Sequence, residues 1–375
     1  MEKVIQSTRS TTASDNPAPA MHPYKDKMPN LHGVRAVACL LVILAHLPLP
    51  GGLTLVGSLG VAIFFVLSGF LMSYLYAESG WDTQSVVKYG IARFSRIAPI
   101  YWVVVLVCYI LTKVEGDSFP LQLEGVVTMT RHILFSGNVG IFWSIPLEVQ
   151  YYVFFIFIWW GLAYNSKLAY AAPLVILICA AMMLTQRYWP HLTVPNKLHL
   201  FLAGTIAGMA PRRAWTGAAN QLALNLLQIA AVLVLALPFF MFNEIQDIYD
   251  CIPLGFAYAA AIYLLSISSG WTSLVFANPW MRKIGQASFS IYLIHLMVLH
   301  YGEILLGLEH KVFHPLWLLL GVAGVVIPMI ISHYVEMPLQ SITRKFLNKN
   351  LLSKFSRNTS EQPSKDGAKE PALTN

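Results

Sequence analysis

Long apolar stretches alternate with short polar segments over most of this chain. The stretches lie at about 34–49, 54–76, 97–112, 144–164, 168–185, 198–210, 221–242, 251–268, 286–306 and 315–335. Several have the roughly twenty residues that an α-helix needs to cross the hydrocarbon core of a bilayer. The pattern predicts an all-α polytopic membrane protein with about ten transmembrane helices. The first, third and sixth stretches are short, which favours broken or tilted helices there.

The two ends of the chain lack such stretches. Residues 1–30 are polar and contain proline, and no apolar run among them precedes a small-residue cleavage site. We therefore expect a disordered, cytoplasmic N-terminal segment and not a removed signal peptide. Residues 341–375 are basic and then polar, which favours a disordered cytoplasmic tail. Between them we expect one membrane domain over 31–340.

Basic residues cluster in alternate predicted loops. The clusters are Lys88, Arg93 and Arg96; Arg212 and Arg213; Arg282 and Lys283; and Arg344, Lys345, Lys349, Lys354 and Arg357. Ten spans with the N terminus inside place all four clusters on one side, which the positive-inside rule makes cytoplasmic. Both termini are then cytoplasmic. The acidic loop 243–250 and the longer segment 113–142 are expected on the outside.

Composition agrees with a membrane protein and narrows the chemistry. The chain is 56% apolar and only 11% charged, whereas a soluble chain carries about a quarter charged residues. The placement of the cations in loops accounts for the net charge of +7, so lipid and not nucleic acid is the expected partner. The four cysteines stand singly, so no metal site is predicted. Motifs of soluble hydrolases, nucleotide hydrolases and zinc proteases are absent from the sequence.

The first apolar stretch carries an arginine and a histidine. Arg35 and His46 are eleven residues apart, which brings both to nearly the same helix face with a rise of about 16 Å. Such groups are costly in a bilayer unless they face a cavity or a protein interior. A histidine can take and return a proton near neutral pH. The alternative is a histidine that forms a hydrogen bond across a helix interface.

The fourth stretch begins with a carboxylate among polar and aromatic residues. Ser144 and Tyr152 lie one turn to either side of Glu148 on the same helix face. A carboxylate there is suited to orient the imidazole of His46 and to stabilise its protonated form. The alternative is an interfacial carboxylate in an aromatic belt that includes Trp143.

Two further groups are candidates for binding. Arg93 and Arg96 share a helix face before the third stretch, and a guanidinium pair suits phosphate oxygens. Their alternative interpretation is the ordinary positive-inside signal. In the ninth stretch, Ser288, Tyr292 and His295 follow at spacings of four and three on one face. Their alternative interpretation is a polar seam against another helix.

The order of these motifs resembles the acyltransferase-3 family of integral membrane acyltransferases. The similarity covers about 30–340 and includes Arg35 and His46, Gly60 to Leu71, Arg93 to Pro99, Trp143 to Tyr152, Ser288 to His295, and Glu336 with Pro338. The sequence departs from the family at Ala62, where an acidic residue is common. The family often adds a soluble esterase-like domain, and we expect the stand-alone form here.

The resemblance implies an enzyme that transfers an acyl group, commonly acetyl, from cytoplasmic acyl-coenzyme A to a hydroxyl of an extracytoplasmic or lipid-linked carbohydrate. It implies a multi-pass protein of the bacterial inner membrane, with His46 as general base and Glu148 beside it. Arg35, Arg93 and Arg96 would bind the donor. The residues expected around the substrates are Ser144, Tyr152, Ser288, Tyr292 and His295.

Several alternatives stay open from the sequence. The acyl group is acetyl, succinyl or longer, and transfer is direct or passes through an acyl-histidine. No permanently bound cofactor is expected, because acyl-coenzyme A is a substrate. The competing function is a proton-coupled transporter or flippase of a glycan or lipid-linked substrate, since buried His, Glu and Arg also form proton relays. A receptor whose polar residues only pack helices is a third class.

Overall fold

Helices account for nearly all of the regular structure of this chain. The computed structural model describes residues 28–49, 53–165, 168–211, 217–309 and 312–352, and these contain no β-strand. The α-helices are α1 (Pro29–Ala45), α2 (Thr54–Tyr76), α3 (Thr83–Glu115), α4 (Gly125–Ile133), α5 (Ser144–Tyr164), α6 (Ala171–Leu184), α7 (Val194–Met209), α8 (Ala218–Ala236), α9 (Pro238–Met241), α10 (Ile245–Asp250), α11 (Ile252–Ser266), α12 (Thr272–Phe276), α13 (Pro279–Gln286), α14 (Ser288–Leu306), α15 (Leu316–Ile331) and α16 (Met337–Leu347).

The length and hydropathy of the helices fit a membrane protein. Within the described ranges, six helical segments are long and apolar enough to cross a bilayer: Thr54–Tyr76, Thr83–Ser118, Gly140–Tyr164, Ala219–Ala236, Ser288–Leu306 and Leu316–Leu352. Shorter apolar helices are Pro29–Ala45, Ala171–Leu184 and Ile252–Ser266. The all-α membrane fold is therefore confirmed. The count of about ten spans and the cytoplasmic placement of both termini stay predictions.

Small residues allow α2 to pack closely on α1 and α7. A Cβ added at Gly204 of α7 would overlap the carbonyl oxygen of Val66, and one at Gly69 of α2 would overlap that of Phe201. A Cβ at Gly60 would likewise meet the carbonyl of Ala38 on α1. Close backbone approach at small residues is the usual way in which membrane helices gain packing contacts. The tight α1–α2–α7 unit fixes the position of the helix that carries His46.

We expect Gly204→Ala to lower the free energy of unfolding by about 1–3 kcal/mol, because the methyl group must displace backbone. Gly90→Ala is the matched control, since a Cβ at Gly90 in α3 meets nothing within 4 Å. Unfolding of the purified proteins in detergent, followed by circular dichroism, measures both. Equal stability of Gly204→Ala and the wild type would contradict the packing described here.

The third apolar helix begins earlier than the sequence predicted. The apolar stretch starts at 97, but α3 starts at Thr83, with Asp82 as its N-cap accepting a hydrogen bond of 3.0 Å from the Ser85 amide. The Ser85 hydroxyl also bonds to this carboxylate and lowers the pKa of Asp82. Pro99 thus lies inside a continuous helix. The prediction missed this start because residues 83–96 form an amphipathic helix with few consecutive apolar positions.

The segment expected as an external loop, 113–142, returns alongside α3. The Thr112 hydroxyl accepts a hydrogen bond of 3.0 Å from the Leu123 amide. Further on, Tyr101 pairs with His132 at 2.8 Å, and the Trp102 indole donates to the Ile133 carbonyl at 3.0 Å. Residues 101 and 112 are about 16 Å apart along a helix. The segment, including α4, therefore covers one side of α3 over that length.

The expected tail boundary near 340 also differs from the structure. Beyond α15, a π-helical turn at Ser332–Glu336 leads into α16, and a second such turn at Asn348–Leu352 follows it. Pro338 lies in the first turn of α16, a position at which proline is compatible with a helix. The first part of the expected tail is thus helical. Residues 1–27 and 353–375, and the basic pair at 212–213, lie outside the described residues.

Candidate functional site

His46 is the C-cap residue of α1 and lines a cavity of about 590 Å³. Its side chain is exposed at the end of the helix. Its Nδ1 atom lies 2.8 Å from the carbonyl oxygen of Val42. A carbonyl oxygen only accepts hydrogen bonds, so Nδ1 carries the hydrogen. In the neutral ring, Nε2 is then the nitrogen with a free lone pair.

A second histidine contacts the first. The Nδ1 atom of the buried His295 lies 3.0 Å from the Ile291 carbonyl and 2.9 Å from that of Tyr292, so it also carries a hydrogen. Its Nε2 atom is therefore an acceptor, and it lies 3.4 Å from Nδ1 of His46. The ring centroids are 5.0 Å apart. His46 thus shares its Nδ1 hydrogen between a backbone carbonyl and His295.

Glu148 does not occupy the place beside His46 that we expected. Its Oε1 atom accepts hydrogen bonds from the Ser68 hydroxyl at 2.9 Å and from the Tyr152 hydroxyl at 2.6 Å. Within the described residues, these are its hydrogen-bond partners, and His46 is not one of them. The helix-face pairing of Glu148 with Tyr152 is confirmed. The side chain that contacts the His46 ring is instead that of His295 on α14.

Arg93 lies between two aromatic rings near Glu148. Its guanidinium carbon is 5.8 Å from the ring centroid of Tyr76 and 5.7 Å from that of Tyr152. One guanidinium nitrogen donates to the Tyr76 hydroxyl at 3.5 Å. Its Nε atom is buried and has no hydrogen-bond partner among the described residues. Arg93 also lines a cavity of about 180 Å³ between α3 and α5.

Arg96 takes different partners from Arg93, so the two do not form the simple clamp that their spacing suggested. Its Nη1 atom lies 2.9 Å from Oε1 of Glu336, which is buried. The other carboxylate oxygen of Glu336 accepts hydrogen bonds from the hydroxyls of Ser290 and Ser332. The charge of Arg96 is therefore offset within the protein. Ser290 and Ser332 were not singled out from the sequence, because isolated serines in apolar stretches carry no distinctive signal.

Two more predicted groups are brought together across helices. The guanidinium of Arg35 donates to the Ser288 hydroxyl at 3.3 and 3.1 Å, which joins α1 to the start of α14. The Ser144 hydroxyl donates to the Tyr292 hydroxyl at 2.8 Å, which joins α5 to α14. Tyr292 in turn donates to the Ile141 carbonyl at 2.7 Å and lines the same cavity as His46. Hydrogen bonds therefore join α14 to both α1 and α5.

The walls of the large cavity come from the ends of several helices and the segments between them. Its lining includes residues from α1, α2, α10 and α14, the start of α7, and the segments at 120–121, 140–143 and 191–192. The polar and aromatic lining residues are His46, Thr54, Ser58, Trp143, His191, Lys197, Gln246, Tyr249 and Tyr292. A ligand in this cavity contacts His46 together with hydroxyl, amide and aromatic groups. The cavity can thus hold a polar molecule next to a histidine that is able to accept a proton.

Comparisons with known proteins agree with one another. A family model described as an acyltransferase domain matches residues 28–333. A Staphylococcus aureus protein named "Putative O-acetyltransferase" is 26% identical over 326 residues, which is 73% of this chain and 51% of that protein. Peptidoglycan O-acetyltransferase OatA of Listeria monocytogenes is 25% identical over 315 residues, covering 72% of this chain and 49% of OatA.

A third relative is similar to this chain in length. Acyltransferase MdmB of Streptomyces mycarofaciens is 22% identical over 339 residues, covering 77% of this chain and 83% of MdmB. By contrast, the chain spans about half the length of the Staphylococcus and Listeria relatives. No solved structure matches the chain.

Proposed function

Because this chain belongs to the acyltransferase-3 family, we propose that it O-acylates a carbohydrate within or at the surface of the membrane. The donor is acyl-coenzyme A, most commonly acetyl-coenzyme A, bound from the cytoplasmic side. The acceptor is a hydroxyl of an extracytoplasmic or lipid-linked carbohydrate. The observation that supports this most strongly is the geometry of His46, which lines the large cavity with Nδ1 engaged and Nε2 left to accept a proton.

The proposed reaction is a direct transfer. Nε2 of His46 takes the proton of the acceptor hydroxyl as its oxygen attacks the thioester carbonyl carbon. The new carbon–oxygen bond forms, the carbon–sulfur bond breaks, and coenzyme A leaves as a thiolate. The imidazolium of His46 then returns the proton to that sulfur. The protein supplies a base and orientation, and no acyl-histidine is required.

His295 is proposed as the positioning residue for His46. Its Nε2 atom accepts from Nδ1 of His46, which favours the tautomer with Nε2 unprotonated. The same contact is retained when His46 becomes an imidazolium, because Nδ1 keeps its hydrogen throughout. His295 thus has the position of the third member of a catalytic triad, and its neutral imidazole replaces the usual carboxylate. Two carbonyl acceptors hold His295 itself in one orientation.

The donor is proposed to bind near Arg93, with Arg35 and Arg96 contributing positive charge to the same end of the helix bundle. The unpartnered Nε of Arg93 supports this, since a buried donor without a partner is rare in proteins. Arg96 is ion-paired with Glu336 and contributes less to binding an anion. The phosphates of coenzyme A suit guanidinium groups in this setting.

We expect Arg93→Ala to raise the KM for acetyl-coenzyme A by about 10- to 100-fold, with little change in the KM for the acceptor. Arg96→Ala is the comparison. It should change the donor KM less but destabilise the fold, because it leaves the buried Glu336 without its cation. Steady-state kinetics and thermal unfolding of the purified variants measure both effects. A donor KM that Arg93→Ala leaves unchanged would refute the assignment.

A chromosomal deletion tests the proposed function as a whole. Mass spectrometry of surface glycans and glycolipids should show the loss of an alkali-labile acyl ester in the deletion strain and its return on complementation. The wild-type gene and the His46→Ala variant serve as the complementing pair. Unmodified glycans that fail to reach the surface, with no change in acylation, would instead favour the transporter.

A further inference from the structure

The lining of the large cavity is uneven in charge. Lys197 is part of the wall, together with His46 and His191. Among the described residues that line the cavity there is no aspartate or glutamate. A ligand that fills this space therefore meets Lys197 and no carboxylate among the lining residues, since Asp250, which pairs with Lys197, is not one of them. Such an environment favours a ligand with a negative group over a neutral one.

Lys197 is unusually buried for a lysine at the start of a helix. Its side chain is 2% exposed. Its Nζ atom lies 3.4 Å from Oδ1 of Asp250, a partly exposed carboxylate that also accepts a hydrogen bond of 2.9 Å from Gln246. An ammonium group has three hydrogen-bond donors, and this contact engages one of them. The contact with Asp250 is long, and Gln246 shares the same carboxylate oxygen. Lys197 therefore has further hydrogen-bond donors for a second anion.

Aromatic side chains flank the lysine. The Nζ atom of Lys197 lies 5.1 Å from the ring centroid of Tyr249. Tyr249 also meets Trp143 edge to face, with ring centroids 5.4 Å apart. Both aromatic residues line the cavity. They present apolar faces beside the polar groups of Ser58 and Gln246, and this combination suits a ring that is apolar on its faces and polar at its edges, as a sugar is.

We propose that the acceptor carbohydrate carries an anionic group, a carboxylate or a phosphate, and that Lys197 binds this group while a hydroxyl of the same molecule reaches His46. This inference rests on the proposed function, because it takes the cavity as the acceptor site. Lys197 is then a determinant of acceptor specificity. The carboxylate and the phosphate share the chemistry that the lysine recognises, and matched probes separate them.

Binding of three sugars to the full chain in detergent, without any donor, tests the proposal. Methyl glucoside carries a hydroxyl at carbon 6, methyl glucuronide a carboxylate, and methyl glucoside 6-phosphate a phosphate. Isothermal titration calorimetry of the wild type should show that at least one anionic sugar binds about tenfold or more tighter than methyl glucoside. The preferred anion identifies the group, and preference for either one supports the proposal.

Substitutions at Lys197 test whether this residue causes the preference for an anionic sugar. Lys197→Gln should bring the affinity for the preferred anion down to that of methyl glucoside, and Lys197→Arg should keep the preference. Lys113→Gln is the matched control, because Lys113 also lies over an aromatic ring but is not part of the cavity wall. Wild-type affinities that are equal for all three sugars, or undetectable for both anions, overturn the proposal. So does an anion preference that survives Lys197→Gln.

The binding experiment also separates this inference from the proposed function. His46→Ala should keep the preference for the anionic sugar, because binding of the anion needs the lysine and not the base. If transfer turns out not to require His46, the sugar preference in calorimetry is still a valid test of Lys197. If the preference is absent while His46→Ala abolishes transfer, the function stands and the anionic acceptor is wrong.

Discussion

His46→Ala is expected to lower kcat for acyl transfer by about 10²- to 10⁴-fold, the usual contribution of a general base. The substitution removes the ring nitrogen that accepts the hydroxyl proton. Among the described residues that line the cavity, only His46 has its Nδ1 hydrogen bonded by the Val42 carbonyl and His295. The variant should still insert and fold, because His46 caps the end of α1 and is exposed. Transfer of radiolabelled acetyl from acetyl-coenzyme A to the acceptor, with purified protein, measures the effect.

His191 provides the control for this experiment. It is another exposed histidine of the same cavity, and its ring contacts the side chain of Gln246, at 3.4 Å, and not a second histidine. His191→Ala should keep kcat within a few-fold of the wild type. Turnover by His46→Ala that matches His191→Ala would remove His46 from the mechanism.

His295→Ala is expected to lower kcat by about 10- to 100-fold, the scale seen when a residue that orients a functional histidine is lost. The KM for donor and acceptor should change little, because His295 is buried and contacts His46 rather than the cavity contents. Steady-state kinetics with each substrate varied in turn separate the two parameters. A purely structural role would instead reduce the amount of folded protein without changing kcat per active molecule.

The conservative variant at this position sharpens the test. In His295→Gln, the side-chain amide oxygen can still accept a hydrogen bond from Nδ1 of His46. We expect it to recover most of the kcat that His295→Ala loses. If both variants fold and His295→Gln is as inactive as His295→Ala, then His295 does not act by accepting a hydrogen bond from His46.

Part of the fold follows directly from apolar stretch length. The stretches at 54–76 and 144–164 coincide with α2 and α5, and the stretch at 286–306 differs from α14 by two residues at its start. These helices are well predicted because each is a long apolar run with a polar or proline-containing boundary. Where the chain leaves the hydrocarbon core but stays helical, as in residues 83–96 of α3, hydropathy no longer marks the helix.

The candidate site was predictable along single helices but not between them. The spacing of Glu148 with Tyr152, and of Tyr292 with His295, follows from 3.6 residues per turn. Which helices are neighbours does not follow from that period. Hence the contact of His46 with His295, across 249 positions of the chain, was missed, and Glu148 was assigned in its place. Ser290 and Ser332, which bond to Glu336, were also missed, because an isolated serine in an apolar stretch carries no signal that separates packing from function.

The fold also explains why Arg93 and Arg96 do not form the predicted pair of phosphate-binding guanidinium groups. The spacing of Arg93 and Arg96 puts them on one helix face, which is correct for the backbone. Their long side chains then diverge, one toward the tyrosines of α2 and α5 and the other toward Glu336 beyond α15. Side-chain length and local partners, which the spacing does not contain, decide what each guanidinium binds.

The most direct test of the account supplies donor and acceptor on opposite sides of a sealed membrane. Inverted vesicles receive radiolabelled acetyl-coenzyme A outside, and the acceptor glycan is enclosed inside. We predict an alkali-labile label on the enclosed glycan with wild-type protein, and its loss with His46→Ala. Transport of unmodified glycan without any label on it, or equal labelling by both proteins, would contradict the account.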